Sequence, residues 1–442
     1  MKRRHLFADV KNFLLYDFFT PEGCVNEDVF AYSNCIGDER ALVIYHNKYA
    51  SVRGWVRTSV AYSVEEGDSR KLIQRQLGEG LGLRNDPNTF CLFRDHVSGL
   101  QYIRNNRELC EKGLYVELDA FKYHVFIDFR EVRDNQWNHY AHIANELNGR
   151  GVPGIEEAFK EMLLQPLQNA FKELVNADLF RRLTDARIRQ PQGQLDPVLI
   201  QEIEKKTINF LREGKWFSGG REDEKMVACE IKQKLEAILY LPAITSRFQV
   251  LQPRGVRAVA EYLYQVLMGG TPLWGTIFTW LFLHPIGKMV SPEGSPERSH
   301  DWMMEWRLDQ IISQTFQDSG LDEGGAWRAV TLIKLLIRYQ RWFEEEPVYR
   351  VMETLLKDSD ARQFLGVNRY DDIFWFNKEA FEEMLWWMML TAALEIGSDP
   401  LRPAKEIIRG LEKGWTIIQK LQEAEKKSGY QVGKLLEFVR GF

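Results

Sequence analysis

The sequence predicts a multidomain β + α protein, in which an N-terminal antiparallel β-sandwich precedes a large, irregular all-α domain. Three observations support this fold class. The 442 residues exceed what one ordinary core fills, so two or three domains are expected. Residues 1 to about 130 contain short runs of β-branched and aromatic residues separated by turn residues. From about residue 137, apolar residues recur at helical spacings instead.

The β-rich half opens with a predicted hairpin. Strands are predicted at Val29–Ser33 and Ala41–Tyr45, and a polar turn at residues 37–39 joins them. Further strands are predicted at Val56–Val64, Phe90–Arg94, Leu100–Arg104 and in the closing stretch Gly113–Phe129. Because no long helix separates these strands, they predict an antiparallel sandwich over residues 21–132.

The second half is predicted to be an α-helical domain over residues 137–442. A helix with a kink at Pro166 is predicted over Ile155–Val175. Six more amphipathic helices are predicted at Val198–Leu211, Asp223–Leu241, Gly255–Leu267, Ala326–Phe343, Phe381–Ile396 and Ala404–Lys427. Loop-like breaks near residues 217–221 and 291–299 mark two places where this domain could be subdivided.

Composition excludes several classes of function. With 58 Lys and Arg against 63 Asp and Glu, the net charge of −5 gives no electrostatic footprint for nucleic acid or an anionic membrane. The most apolar run, Thr271–Pro285, is shorter than the roughly 20 residues that cross a bilayer, which favours a buried core helix. Five cysteines without a CxxC pair are typical of reduced thiols, so a cytoplasmic location is expected.

Two phrases in the β-rich half resemble a known family. Val29-Phe30-Ala31-Tyr32-Ser33-Asn34, followed by Ala41-Leu42-Val43-Ile44-Tyr45-His46-Asn47, is similar to the start of the all-β domain that follows the catalytic barrel in the α-amylase family of glycoside hydrolases. The family's last strand in that domain resembles a second set of residues: Tyr115, Leu118, Phe121, His124, Val125, Phe126 and Ile127. The resemblance covers roughly residues 10 to 130.

The resemblance implies an accessory role rather than catalysis. Residues 1–20 would be the remnant of a connection from a barrel to the sandwich, and the barrel of the same enzyme would be the partner, with α-glucan as a further contact. The family's carboxylates are held on a (β/α)8 barrel, and no such alternation of strands and helices is predicted here. Asp95-His96 is the nearest pair to the family's His-Asp phrase, but its order is reversed. No catalytic residue and no cofactor is therefore predicted.

Two other patterns have a chemical interpretation and a plainer one. His139, His142 and Glu146 would share one side of a helix and could hold a divalent metal, but helix surfaces also collect such residues by chance. Gly78, Gly80 and Gly82 resemble a phosphate loop only superficially, because no apolar strand precedes them and no Lys-Ser/Thr follows. We therefore predict no metal site and a loop that connects strands.

Aromatic residues give the one candidate binding residue. Trp55, near the sandwich strands, could stack on a sugar ring, although tryptophans more often fill cores. The tryptophan pairs at 302 and 306 and at 386 and 387 fit helix packing. An apolar docking face for the barrel is expected from Phe13, Leu14, Leu15, Phe18 and Phe19. The alternative function is a stand-alone, non-catalytic interaction protein with a helical docking domain.

Overall fold

The computed structural model describes residues 4–8, 10, 12–66, 69–136, 138–188, 193–220, 222–248, 254–267, 270–291, 295–344, 347–398 and 402–441. The chain divides into two compact units, residues 1–164 and 165–442. The predicted fold class is confirmed: an antiparallel β structure is followed by a large helical region, and the described residues contain no (β/α)8 barrel.

The described residues of the first unit form a 3₁₀ turn, ten strands and three complete helices, and the division between units falls within α4. Its strands are β1 (Leu14–Phe19), β2 (Val29–Ile36), β3 (Glu39–His46), β4 (Val52–Ser59), β5 (Tyr62–Glu66), β6 (Ser69–Ile73), β7 (Thr89–Asp95), β8 (Gln101–Asn105), β9 (Leu114–Leu118) and β10 (Tyr123–Arg133). Its helical elements are the 3₁₀ turn Arg4–Phe7, α1 (Leu77–Gly80), α2 (Asn106–Glu111), α3 (His139–Leu147) and the start of α4 (Ile155–Leu174).

Eight strands form one antiparallel sheet in the order β8-β7-β10-β3-β2-β1-β4-β9. The predicted hairpin is confirmed as β2 and β3, which pair from Val29↔His46 to Ile36↔Glu39. The predicted strand Val56–Val64 is wrong as one element, because β4 ends at Ser59 and β5 starts a separate two-stranded hairpin with β6. The backbone N–H of Ser59 donates to the Arg75 carbonyl, and the Ser59 hydroxyl accepts from the backbone N–H of Arg75. These two hydrogen bonds lie where the chain leaves the sheet for the β5–β6 hairpin.

One face of the sheet encloses the core of the first unit. Inward side chains come from strands along the whole width of the sheet, so the sheet curls around a single cluster that α1 and α2 close. Its fully buried members include Phe18, Ile44, Val56 and Leu77. A second, smaller cluster lies on the outer face of β7 and β8, where α3 and the start of α4 pack. This packing explains why the structural division falls at residue 164 instead of directly after β10.

Strand β1 lies inside the sheet, between β2 and β4. Its alternating side chains divide between the two faces: Leu14 and Phe18 belong to the core, whereas Leu15 is 44% exposed. The predicted docking face is therefore wrong for Leu14 and Phe18, since a strand that is paired on both sides buries every second residue. Phe13 remains exposed and packs with Tyr32, at 5.6 Å between ring centroids.

In the ranges that the structure describes, the second unit is formed by helices and one small hairpin. The helices are α5 (Ala177–Asp185), α6 (Pro197–Ser218), α7 (Glu224–Phe248), α8 (Arg254–Leu267), α9 (Thr271–Leu283), α10 (Pro296–Glu305), α11 (Leu308–Asp318), α12 (Glu323–Arg338), α13 (Val348–Lys357), α14 (Ser359–Phe364), α15 (Lys378–Gly397), α16 (Ala404–Ser428) and α17 (Val432–Val439). A 3₁₀ turn covers Ile286–Met289, and β11 (Asn368–Tyr370) pairs with β12 (Ile373–Trp375).

The apolar run at Thr271–Pro285 is a buried helix, as predicted. In α9, Trp274, Phe278 and Leu281 are fully buried. Trp302 and Trp306 are also buried and stack with 5.1 Å between their ring centroids, which confirms their role in helix packing. Of the helices in the described ranges, none is by itself long and apolar enough to cross a membrane.

Because β9 packs closely against β4, the stability of the first unit should be sensitive to replacement of one glycine. Gly113, just before β9, has φ +81°, and a Cβ there would lie 2.2 Å from the Val56 carbonyl oxygen. Gly82 has φ +63° but no atom within 4 Å of its Cβ position. We expect Gly82→Ala to cost about 1 kcal/mol from backbone strain, and Gly113→Ala to cost about 2–4 kcal/mol because overpacking is added.

Native-state hydrogen exchange at the amides of β4 and β9 measures the free energy of opening in both variants. Equal losses for Gly113→Ala and Gly82→Ala would show that the close approach of β4 does not constrain this position.

Candidate functional site

A cleft of about 630 Å³ lies where the two edges of the curled sheet approach each other. One side is formed by Trp55 of β4 and Tyr115 of β9, and the other by Ile103 and Arg104 of β8. Helix α2 forms one end because it connects β8 to β9, and α3 contributes Asn145. The cleft therefore belongs entirely to the first unit.

Trp55 and Tyr115 form an aromatic pair on the outer face of the sheet. They are opposite each other in the β4–β9 register, and their rings are 4.9 Å apart at an angle of 59°. The neighbours Gly54 and Val56 face inward, so strand alternation places Trp55 outside the core. Trp55 is half-buried and Tyr115 is 37% exposed. The structure thus places the sequence's candidate residue on a cleft wall instead of in the core.

The Tyr115 hydroxyl is held in place. It donates a 2.7 Å hydrogen bond to Glu117 Oε1, two residues along the same face of β9. This hydrogen bond raises the pKa of Tyr115, since it stabilises the protonated phenol. The ring consequently stays neutral, with one edge tethered and one face available.

Ionic side chains from α2 line the cleft end. Arg107 donates to Glu111 at 2.8 Å and Lys112 donates to Glu108 at 3.2 Å, both as i,i+4 pairs. These four side chains are about half exposed, so the pairs contribute little stability and their hydrogen-bonding groups stay accessible. The arrangement offers both donors and acceptors beside the aromatic pair.

Asn105 fixes the orientation of α2. Its side-chain oxygen accepts from the backbone N–H groups of Arg107 and Glu108, which is the typical N-cap arrangement. Its side-chain nitrogen donates to the Pro87 carbonyl at 2.7 Å, which ties the helix start to the loop before β7. A cap that also binds a neighbouring loop leaves α2 little freedom to rotate.

Arg104 forms the rigid floor of the cleft. Its guanidinium donates to the Ile103 carbonyl at 2.8 Å and to the Gly149 carbonyl at 2.7 Å. Burial lowers the pKa of Arg104, and the charge of Glu108 partly opposes this shift. The guanidinium thus supplies a fixed positive charge near Asn145 and Asn148, which also line the cleft.

His139, His142 and Glu146 all lie on α3, and His139 has other side-chain contacts. His139 begins α3 and its Nδ1 lies 2.9 Å from the Asn135 side-chain nitrogen, while its ring packs on Phe159 at 5.0 Å. Across the described ranges, no group of three or more His, Cys, Asp or Glu side chains could hold a metal ion.

The glycine stretch is a packed turn. Gly78 and Gly80 belong to the one-turn helix α1, where a Cβ would meet the Cys110 sulfur at 2.3 Å or the Tyr16 hydroxyl at 2.0 Å. These close approaches let α1 close one end of the sheet core. The interpretation as a loop that connects strands is consistent with this position between β6 and β7.

Asp95 has a structural role. Its carboxylate, which is almost fully buried, accepts hydrogen bonds from Ser98, from the Val125 amide and from His124 Nδ1 at 3.0 Å. Burial opposes ionisation, but these hydrogen bonds together lower the pKa of Asp95. The residue stabilises the β7–β8 turn and joins it to β10.

The second unit contains a buried ionic network that sequence periodicity did not reveal. Lys234 of α7 is 1% exposed, and its Nζ lies 2.6 Å from His284 Nε2 and 2.6 Å from Glu395 Oε1. His284 is stacked on Trp280 at 4.2 Å, and its Nδ1 faces two backbone carbonyls at 3.0 and 3.1 Å. Nδ1 therefore carries the proton and Nε2 accepts from Lys234.

Charges in this network are balanced by direct contacts. Burial raises the pKa of Glu395, but the charge of Lys234 outweighs it and brings that pKa far below its ordinary value. Burial and Lys234 both lower the pKa of His284, which keeps the ring neutral. Glu230 accepts from Lys288 at 2.6 and 2.7 Å and lies 3.5 Å from Lys234. A cavity of about 210 Å³ adjoins the network.

No family model, curated protein or solved structure matches this chain. The geometry of the cleft is therefore the evidence on which a function can be argued.

The ionic network predicts that two lysines of α7 contribute very different amounts to the free energy of unfolding. Lys234→Met would leave the buried Glu395 without its main partner and should cost about 3–5 kcal/mol. Lys232 donates to Glu204 at 2.8 Å, but both side chains are about one-third exposed, so Lys232→Met should cost at most about 1 kcal/mol.

Urea denaturation followed by far-ultraviolet circular dichroism reports on the helical unit in both variants. If Lys234→Met unfolded at the same urea concentration as Lys232→Met, the network would not stabilise this unit.

Proposed function

We propose that the first unit is a non-catalytic saccharide-binding module, and that the cleft beside Trp55 and Tyr115 is its binding site. The proposal follows the resemblance of this region to the all-β domain of α-amylase family enzymes. In that role the chain would be the C-terminal accessory region of a glycosidase that acts on α-glucans. It would support the catalytic barrel of the same enzyme and contribute sugar contacts.

The observation that carries the proposal is the aromatic pair within a polar cleft. Sugar rings have apolar C–H faces that pack on aromatic rings, while their hydroxyls need donors and acceptors. Trp55 and Tyr115 supply the aromatic surface, and the accessible ionic groups of α2 supply the hydrogen-bond donors and acceptors. Hydrogen bonds to charged groups are stronger than neutral ones, which suits recognition of neutral hydroxyls.

Ring geometry favours a curved saccharide. The two rings are inclined by 59°, so a ligand that contacts both faces cannot be flat. An α-linked glucan curves along its length, whereas a β-1,4-linked glucan is extended and flat. This geometry and the family resemblance point to the same ligand class.

A different observation favours the alternative, a protein-interaction role for the helical unit. The β11–β12 hairpin exposes Tyr370 (74%), Ile373 and Phe374, which is an apolar group at a site where a polar turn would be expected. Binding of a protein by this hairpin would be independent of the cleft.

The five cysteines are free thiols in the structure, and two of them, Cys91 and Cys110, are buried. We infer a cytoplasmic location from this cysteine usage. Fractionation of cells that produce the tagged protein tests the inference, and recovery outside the cytoplasm would contradict it.

Saccharide binding should depend on the aromatic pair. We expect isothermal titration calorimetry with maltoheptaose to give a dissociation constant that rises at least about tenfold in Trp55→Ala or Tyr115→Ala, since loss of one stacking contact removes about 1.4 kcal/mol. Tyr49, an 86% exposed tyrosine of the same unit outside the cleft, provides the matched control in Tyr49→Ala.

Cellohexaose, the flat β-1,4-linked counterpart, serves as the control ligand. Equal binding of both saccharides would contradict α-glucan selectivity, and equal affinity of Tyr115→Ala and Tyr49→Ala would exclude the cleft as the site.

The purified chain should not hydrolyse glycosidic bonds. Incubation with starch, maltooligosaccharides and a nitrophenyl α-glucoside should release no reducing sugar or nitrophenol above the level of a heat-denatured sample. Measurable hydrolysis by the pure protein would contradict the non-catalytic role.

A further inference from the structure

A cavity of about 670 Å³ lies within the helical unit. The cavity is surrounded by helices α8, α9, α12, α15 and α16. Its volume lies within the range found for natural ligand sites. Its lining is mostly apolar. The proposed saccharide function does not involve this unit, so the cavity has no role in it.

Aromatic side chains form much of the cavity wall. Tyr262 of α8, Phe364 of α14 and the pair Trp386 and Trp387 of α15 all line it. The two tryptophans are 4% exposed each, which confirms that they pack within the helical bundle, yet they also border this open space. Trp386 is anchored because its indole N–H donates to the Tyr262 carbonyl at 3.3 Å.

Three charged residues line the same cavity. Arg328 donates to Glu383 Oε2 at 2.7 Å and to the Phe364 carbonyl at 2.8 Å, so its charge is compensated and its position fixed. Glu382 has a weaker partner: its Oε1 lies 3.8 Å from Lys378 Nζ, and both side chains are 43% exposed. Glu382 therefore remains available to a ligand.

A buried carboxylate adjoins this wall without a partner. Glu425 of α16 is 0% exposed, and among the described residues neither of its side-chain oxygens has a hydrogen-bond partner. It lies one turn after the cavity residue Gln422 and within electrostatic range of Glu382 and Tyr262. A buried carboxylate in this state costs free energy unless it is protonated or a cation approaches.

We propose that this cavity binds an organic ammonium ion, a primary amine with an aromatic or alkyl body. The ammonium group would donate to Glu382, and the apolar body would lie against the aromatic wall. Glu425, which lies behind the lining residue Gln422, would strengthen the attraction through its negative charge. Indole and phenol rings attract a cation over their faces, so wall and carboxylates favour the same charge.

Protonation of Glu425 should control binding. Burial, and then the charge of Glu382, raise the pKa of Glu425 to about 7. The other charged groups around it are Lys378 and Glu379 of α15 and Lys426 of its own helix. A primary ammonium stays protonated well above pH 8, so affinity should increase from pH 6 to pH 8 as Glu425 ionises.

Isothermal titration calorimetry of the full chain with 2-phenylethylamine tests the proposal. We expect saturable binding at pH 8, no binding of the neutral isostere 2-phenylethanol, and a dissociation constant at least about threefold higher at pH 6. Glu382→Gln and Glu425→Gln should each weaken binding at least about tenfold. Glu425→Gln should also remove most of the pH dependence.

Glu423→Gln is the matched control, because Glu423 lies on the same helix but is exposed and pairs with Lys427. It should bind as the unaltered chain does. Absence of amine binding at pH 8, equal binding of the neutral isostere, or equal effects of Glu423→Gln and Glu382→Gln would each overturn the proposal. The Glu382 variant keeps the test decisive if Glu425→Gln fails to fold.

Discussion

The curling of the eight-stranded sheet is the constraint on which the first unit depends. A flat sheet would need a second layer to cover its apolar face, whereas this sheet covers that face with itself. Curling brings β8 and β9, the two edges, to either side of one gap. The short connection through α2 spans this gap, so the cleft is a direct consequence of how the core is enclosed.

The two sites of the helical unit differ in whether their buried charged group has a partner. Lys234 is buried with an imidazole and a carboxylate within 2.6 Å, so its charge is satisfied by the fold itself. Glu425 is equally buried but has no such partner among the described residues. The fully paired charge of Lys234 is typical of a structural network. The unpaired carboxylate of Glu425 fits the proposed binding of a cation.

Sequence patterns identified the elements that alternate cleanly and missed contacts made across the chain. The β2–β3 hairpin and helices such as α8 are predictable because their apolar residues follow one period. Strand β1 falls in the segment that the family resemblance assigns to a connection before the sandwich, although its Leu14 and Phe18 alternate inward. Trp55 was a candidate from its type alone.

The rest of both sites could not be read from the sequence. The curl brings Arg104 and Arg107 to the same cleft as Trp55 and Tyr115, and the packing of α3 adds Asn145. Lys234 is separated from His284 by 50 residues and from Glu395 by 161 residues along the chain, and no local pattern predicts such contacts.

The central claim is that the cleft beside Trp55 and Tyr115 binds a saccharide. Hydrogen-exchange footprinting of the full chain with saturating maltoheptaose tests this claim most directly. Protection confined to residues 52–59 and 105–115 would support it, whereas unchanged exchange there, or protection only in the helical unit, would contradict it.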